Sequence, residues 1–242
     1  MSALHRWLDR FCARHPGFGI PNLMKYIVIG NVVVFLLDQF SNGLCSALLS
    51  FSPAAIAQGQ VWRVVSFVFI PVSSGSTFFS RVILLAISLY FYWFIGNILE
   101  REWGSAKFTL FYAVGVVLTI LAGLATRGAG VTMFYVNMSM FFSFASLYPD
   151  MQVLFFFIPM KVKWLAWLDL ALFAVECVRY LIGGAPVLCL LPLVAVVNYL
   201  IFFWPELAGL LGRTARRRRY TASKKTVNFQ KAARQAQQQK GY

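Results

Sequence analysis

Gly59-Gln-Val-Trp-Arg-Val-Val-Ser-Phe-Val-Phe-Ile-Pro71 leads through a Ser/Gly spacer into a long apolar run. That run ends Leu99-Glu100-Arg101-Glu102-Trp103-Gly104-Ser105, and a second apolar run opens at Phe108 and continues past Gly115. An apolar run of ~18 or more residues reads as a spanning helix, because in lipid the backbone has to satisfy its own hydrogen bonds. The stretch therefore encodes two membrane spans joined by a tight polar turn, and Glu100, Arg101 and Glu102 mark where the first span leaves the hydrocarbon. Arg63 differs from these. It sits among apolar residues in a segment too polar to span, so it is expected at the membrane interface, snorkelling or paired.

Composition gives the same class. The chain has 242 residues, of which 60% are hydrophobic and 12% charged, well below the ~25% charge of soluble domains. One bundle uses nearly the whole length. Working outward, span 1 is expected over Leu23–Phe40, with Asn31 inside it. Ser41–Ser76 forms a half-apolar loop lying sideways at the interface, where its Trp and Phe residues fit. Span 2 covers Thr77–Leu99 and span 3 Lys107–Thr126, with Gly115 and Gly123 as small packing residues. Span 4 runs Val131–Tyr148. An apolar stretch, Val153–Pro159, then leads to span 5, Trp164–Leu181, and a Gly-Gly-Ala-Pro turn opens span 6, Val187–Trp204.

The flanks are basic. Residues 1–20 carry Arg6, Arg10 and Arg14 beside Leu4, Trp7, Leu8 and Phe11 at roughly helical spacing, which predicts a short cytoplasmic amphipathic segment. Residues 21–208 form the bundle and 209–242 a basic, disordered cytoplasmic tail. The net charge is +14, and ten of the 22 Lys and Arg residues follow Glu206. With the N-terminus inside, six spans place eighteen basic residues on the cytoplasmic side and leave Arg63, Arg81, Arg127 and Arg179 on the other. By the positive-inside rule both termini are cytoplasmic. The tail is expected to adhere to anionic lipid at ~1 kcal/mol per basic residue near the surface. No nucleic-acid recognition motif accompanies its charge.

Gly-x-x-Trp62-Arg63-Val-Val-x-x-x-Phe, followed by a helix ending Leu99-Glu100-Arg101-x-x-Gly104-Ser105, resembles the first loop and second span of the rhomboid family over about residues 22–204, with gaps. Trp62-Arg63 is similar to the loop signature of that family's inactive Derlin branch. The resemblance implies an all-α bundle of six transmembrane helices. In the active members it implies a membrane serine in Gly-x-Ser-Gly on span 4 and a histidine on span 6. This chain departs on both. Span 4 reads Thr132-Met-Phe-Tyr-Val-Asn137-Met-Ser139-Met-Phe-Phe-Ser143, and the two histidines, His5 and His15, precede span 1. A serine without a base is a weak nucleophile. The expected function is a rhomboid-like pseudoprotease that binds membrane-protein clients without cleaving them.

The remaining polar residues of the spans carry the alternatives. Asp169 and Glu176 lie seven residues apart on one face of span 5 and would serve a small transporter. The plainer reading pairs Glu176 with Arg179 and lets Asp169 cap or snorkel. Asn31, Asn137, Ser139 and Asn198 read as interhelical hydrogen-bonding residues, worth about 0.6 kcal/mol each. Ser139 or Ser143 with a non-standard base would make an active protease; a purely structural subunit is the last alternative. Cys12, Cys45, Cys177 and Cys189 have no metal-ligand spacing, and no cofactor or metal is expected.

Overall fold

The structure is a computed structural model that describes residue 10 and residues 16–72, 75–155 and 158–203. Residues 1–9 and 11–15 of the amphipathic segment expected over 1–20 and the whole of the 209–242 tail lie outside the described residues. Ala3–Phe202 forms one compact unit; the other, Met1–Ser2 with Phe203–Tyr242, falls outside the described residues apart from Phe203.

The described residues are mostly helical, and among them four helices are long and apolar enough to cross a membrane. These are α1 (Leu23–Ser41), α5 (Phe78–Trp103), α6 (Ser105–Ala125) and α9 (Pro186–Phe203), the last opening with a 3-10 turn over Pro186–Cys189. Between α1 and α5 lie three short helices, α2 (Leu44–Leu49), α3 (Pro53–Ala57) and α4 (Arg63–Ser66), then a 3-10 turn at Phe67–Phe69. The stretch expected as an interfacial loop thus folds into helical turns, and it buries Phe51, Phe67 and Val68. Many outward side chains are apolar, among them Tyr26, Ile29, Val33, Leu36 and Phe40 on α1. That pattern suits a lipid surround rather than water.

Local chemistry fixes the ends. Thr77 and Ser80 form a reciprocal capping box at the start of α5, which has 26 residues. At 1.5 Å per residue α5 is ~39 Å long, enough to carry Glu100 and Arg101 past a ~30 Å hydrocarbon core. Gly104, at φ 81°, turns the chain directly into α6 without a loop. Gly96 lets α1 approach α5, since a Cβ there would sit 2.1 Å from Met24 Cγ.

Two helices differ from the expected spans. The fourth, α7 (Phe134–Leu147), starts three residues after Val131 because the preceding turn uses Arg127, Gly128 and Gly130 at positive φ. Its 14 residues reach only ~21 Å. The fifth, α8 (Val162–Ile182), has 21 residues but carries Lys163, Asp169, Glu176 and Arg179. The fold is also not purely helical. The apolar stretch Val153–Pro159 folds into an antiparallel hairpin, β1 (Gln152–Phe155) with β2 (Ile158–Lys161), in register Gln152 to Lys161. The hairpin returns the chain so that Asp150 meets Lys163 at 2.9 Å and Lys161 at 3.3 Å. Those ammonium groups, Lys163 foremost, hold the Asp150 carboxyl below its usual range.

The core centres on α7. Ten of its 14 residues are buried, against three of 21 in α8. Aromatic edges knit it to its neighbours: Phe91 of α5 meets Phe141 at 5.8 Å, and Phe142 meets Phe173 of α8 at 5.8 Å and Tyr199 of α9 at 6.2 Å.

Candidate functional site

Ser139 and Asn198, far apart in sequence, meet in the centre of the bundle. Asn198 Nδ2 donates to Ser139 Oγ at 2.8 Å, and both residues are fully buried. Ser139 Oγ in turn donates to the Val136 carbonyl at 2.6 Å, and Ser143 Oγ donates to the Ser139 carbonyl at 2.9 Å. Gly115 on α6 makes room for this pair, because a Cβ there would lie 2.8 Å from both Asn198 Nδ2 and Val136 Cγ1. Asn198 Oδ1 is buried and has no hydrogen-bond partner among the described residues. The chemistry of the pair is limited. A neutral carboxamide is no base, and it reaches the serine with its donor, not its acceptor. The serine proton is engaged by a backbone carbonyl of its own helix.

Asn137, a half-turn before Ser139, points elsewhere. It lines a separate cavity with Tyr92 and Tyr112, and its Oδ1 is buried without a partner among the described residues.

The Trp62-Arg63 segment is an anchor. Arg63 is 7% exposed, and its Nη1 donates to the carbonyls of Ala47 at 2.7 Å and Ser50 at 2.8 Å, the open C-terminal end of α2. Its Nε donates to Gln60 Oε1 at 2.7 Å. A guanidinium there both satisfies orphan carbonyls and complements the helix dipole. Trp62 is half-exposed, and its Nε1 donates to the Leu48 carbonyl at 3.3 Å.

Glu100, Arg101 and Gly104 sit at the opposite end of α5. Glu100 Oε1 accepts from the Asn22 N–H at 2.8 Å and from Ser105 Oγ at 2.6 Å, joining the start of α1 to the start of α6. Glu102 accepts from Tyr148 OH at 2.5 Å, which ties the end of α7 to the end of α5 and pushes the Tyr148 phenol upward. Arg101 is exposed, beside Lys25 at the rim of a groove.

Asp169 and Glu176 share α8 but have different surroundings. Glu176 Oε1 accepts from Tyr135 OH at 3.0 Å and Tyr180 OH at 2.8 Å; the carboxylate takes its bonds from two phenols rather than from Arg179. Tyr180, one turn on at i+4, was legible as a partner, whereas Tyr135 comes from α7 and carried no local signal. Asp169 is half-buried and lies near Tyr92. Among the described residues no group of three or more His, Cys, Asp or Glu side chains converges on a metal-sized site.

No family model, no curated protein and no solved structure matches this chain. The fold and the site define a class, a helical membrane protein with a buried serine–asparagine pair at the centre of its bundle.

Proposed function

We propose that this chain is a rhomboid-like membrane protein of the inactive, Derlin-like kind. It crosses the bilayer six times with both termini in the cytoplasm and holds membrane-protein clients without cutting them. The observation that carries the reading is the partner of Ser139. The last helix presents Asn198 to it, an amide that donates at 2.8 Å, where nucleophilic catalysis needs a group that takes the proton away. Fully buried Met140 and Phe144 crowd the same helix, where an oxyanion site needs open backbone donors.

Two features support client binding. A 14-residue α7 is ~10 Å shorter than a ~30 Å hydrocarbon core, which favours local thinning. The lightly buried α8 leaves Trp167, Leu172 and Val175 facing outward beside it, a lateral surface for a client helix. A photo-crosslinker at Leu172 or Val175 should trap membrane proteins in native membranes, and one at Ile87 on α5 should not. Equal yields from both faces refute client docking at α8.

Reconstituted protein should fail to cleave a transmembrane substrate that an active rhomboid cuts. Fluorophosphonate labelling that disappears in Ser139→Ala or Ser143→Ala would make it an enzyme instead. The transporter reading keeps one supporting observation, the half-buried Asp169 at the level of the bundle. It predicts a proton or cation flux in liposomes that Asp169→Asn abolishes.

A further inference from the structure

We propose that the bundle holds a bound-water site between α1, α5, α6 and α7, coordinated by Tyr112 and Asn137. A cavity of about 20 Å³ lies there beneath the segment that follows the Phe67–Phe69 turn. Tyr112 is 4% exposed and Asn137 8%; both line the cavity, and Tyr112 OH and Asn137 Oδ1 have no hydrogen-bond partner among the described residues. Asn31 and Tyr92 add polar edges to the same wall.

Size and chemistry choose the occupant. A cavity needs roughly 10–15 Å³ on this measure to hold one water, so about 20 Å³ takes one or two and is too small for a lipid chain or a detergent tail. Apolar cavities stay dry, but an orphaned buried hydroxyl or amide oxygen costs ~1–3 kcal/mol, and a bridging water removes that cost. The two orphans are complementary through water. The phenol donates to a water oxygen, and that water donates to the Asn137 carbonyl oxygen. The site is distinct from the Ser139–Asn198 pair; Tyr92, on the same wall, is hydrogen-bonded to Asn137 and lies within electrostatic reach of the Asp169 carboxylate.

X-ray radiolytic footprinting of the full chain in lipid nanodiscs tests this, because bound water makes hydroxyl radicals in place. Met24 and Met133, 1% and 3% exposed, line the cavity; Met140, 0% exposed, does not. All three are shielded from bulk solvent, so burial alone predicts equal, slow oxidation. Bound water predicts oxidation of Met24 and Met133 several-fold faster than Met140 in the wild-type protein. Equal rates for the three overturn the proposal. In Asn137→Leu, which removes one partner and fills the space, the excess at Met24 and Met133 should fall to the Met140 rate. If that variant unfolds, Met140 accelerates as well, and the comparison passes to Tyr112→Phe, where a persisting excess would remove Tyr112 from the site.

Discussion

Replacing Arg63 with alanine removes three well-placed donor contacts, two to the open end of α2 at Ala47 and Ser50 and one to Gln60. Gln60 can turn to solvent, but the two carbonyls lose a charged donor at a buried site. Bonds to charged groups are worth ~1.5–3 kcal/mol each in soluble proteins, and polar contacts inside membranes average about 0.6. Taking about 1 kcal/mol per contact gives a loss of roughly 3 kcal/mol. At ~2–4 °C per kcal/mol for a chain of this size, the midpoint of thermal unfolding in detergent should fall by roughly 6–12 °C. Arg63→Lys should fall between, because an ammonium lacks the fork that reaches Gln60 and both carbonyls together. Exposed Arg101→Ala is the control, expected within about 0.5 kcal/mol of wild type. Scanning fluorimetry with a cysteine-reactive dye reads the wild type and these variants, together with Trp62→Ala. If Arg63→Ala and Trp62→Ala both melt with Arg101→Ala, this segment is not an anchor.

Reporter fusions at residues 5 and 240 should both signal cytoplasm; an outside signal from either end refutes six spans. Gly115→Val should cost about 1–3 kcal/mol by driving a side chain into Asn198 and Val136, seen as a lower melting midpoint; an unchanged midpoint denies that α6 packs against the pair. The Asp150 carboxyl is held low in the folded chain, so its contribution is present above the unfolded carboxylate pKa and is lost as pH falls through the folded value. Asp150→Asn should therefore flatten the acid limb of the stability profile, and identical acid limbs would mean the two lysine contacts contribute nothing. Removing Arg213–Tyr242 should leave the midpoint unchanged and weaken salt-sensitive binding to anionic vesicles; equal vesicle binding refutes lipid adhesion by the tail.

The four helices long and apolar enough to cross a membrane were legible because hydrophobic length needs no tertiary information, and their ends fell within a few residues of Gly, Asn and Thr signals. The hairpin at Gln152–Lys161 was missed because Val153–Pro159 is short and uniformly apolar, which suits a strand and a helix turn equally. At its open end Asp150 meets both lysines, a contact that apolar periodicity does not encode. The loop from Ser41 to Ser76 was read as interfacial from its Trp and Phe residues. Its helical turns depend on Arg63 reaching back to Ala47 and on Asp38 capping Ser46, contacts that composition does not encode.

Polar residues inside the bundle show the sharper limit. Asn137, Ser139 and Asn198 all read as hydrogen-bonding residues, yet only Ser139 and Asn198 bond to each other; which two depends on helix rotation, and about half a turn separates Asn137 from the face that carries Ser139. Glu100 shows the same dependence from the other direction. In sequence it marks the end of a span. In the fold its single Oε1 gathers the Asn22 N–H and the Ser105 hydroxyl, so the starts of two helices are fastened to the end of a third. Gly104 explains why these ends meet: with no loop between α5 and α6, Ser105 can only lie beside Glu100, and a carboxylate at that junction faces two helix N-termini whose dipoles favour it. The Leu-Glu-Arg-x-x-Gly-Ser pattern is thus a clamp whose physical content is the glycine turn and the carboxylate together. Either residue alone would be a common surface feature, and the long-range member, Asn22, lies 78 residues away.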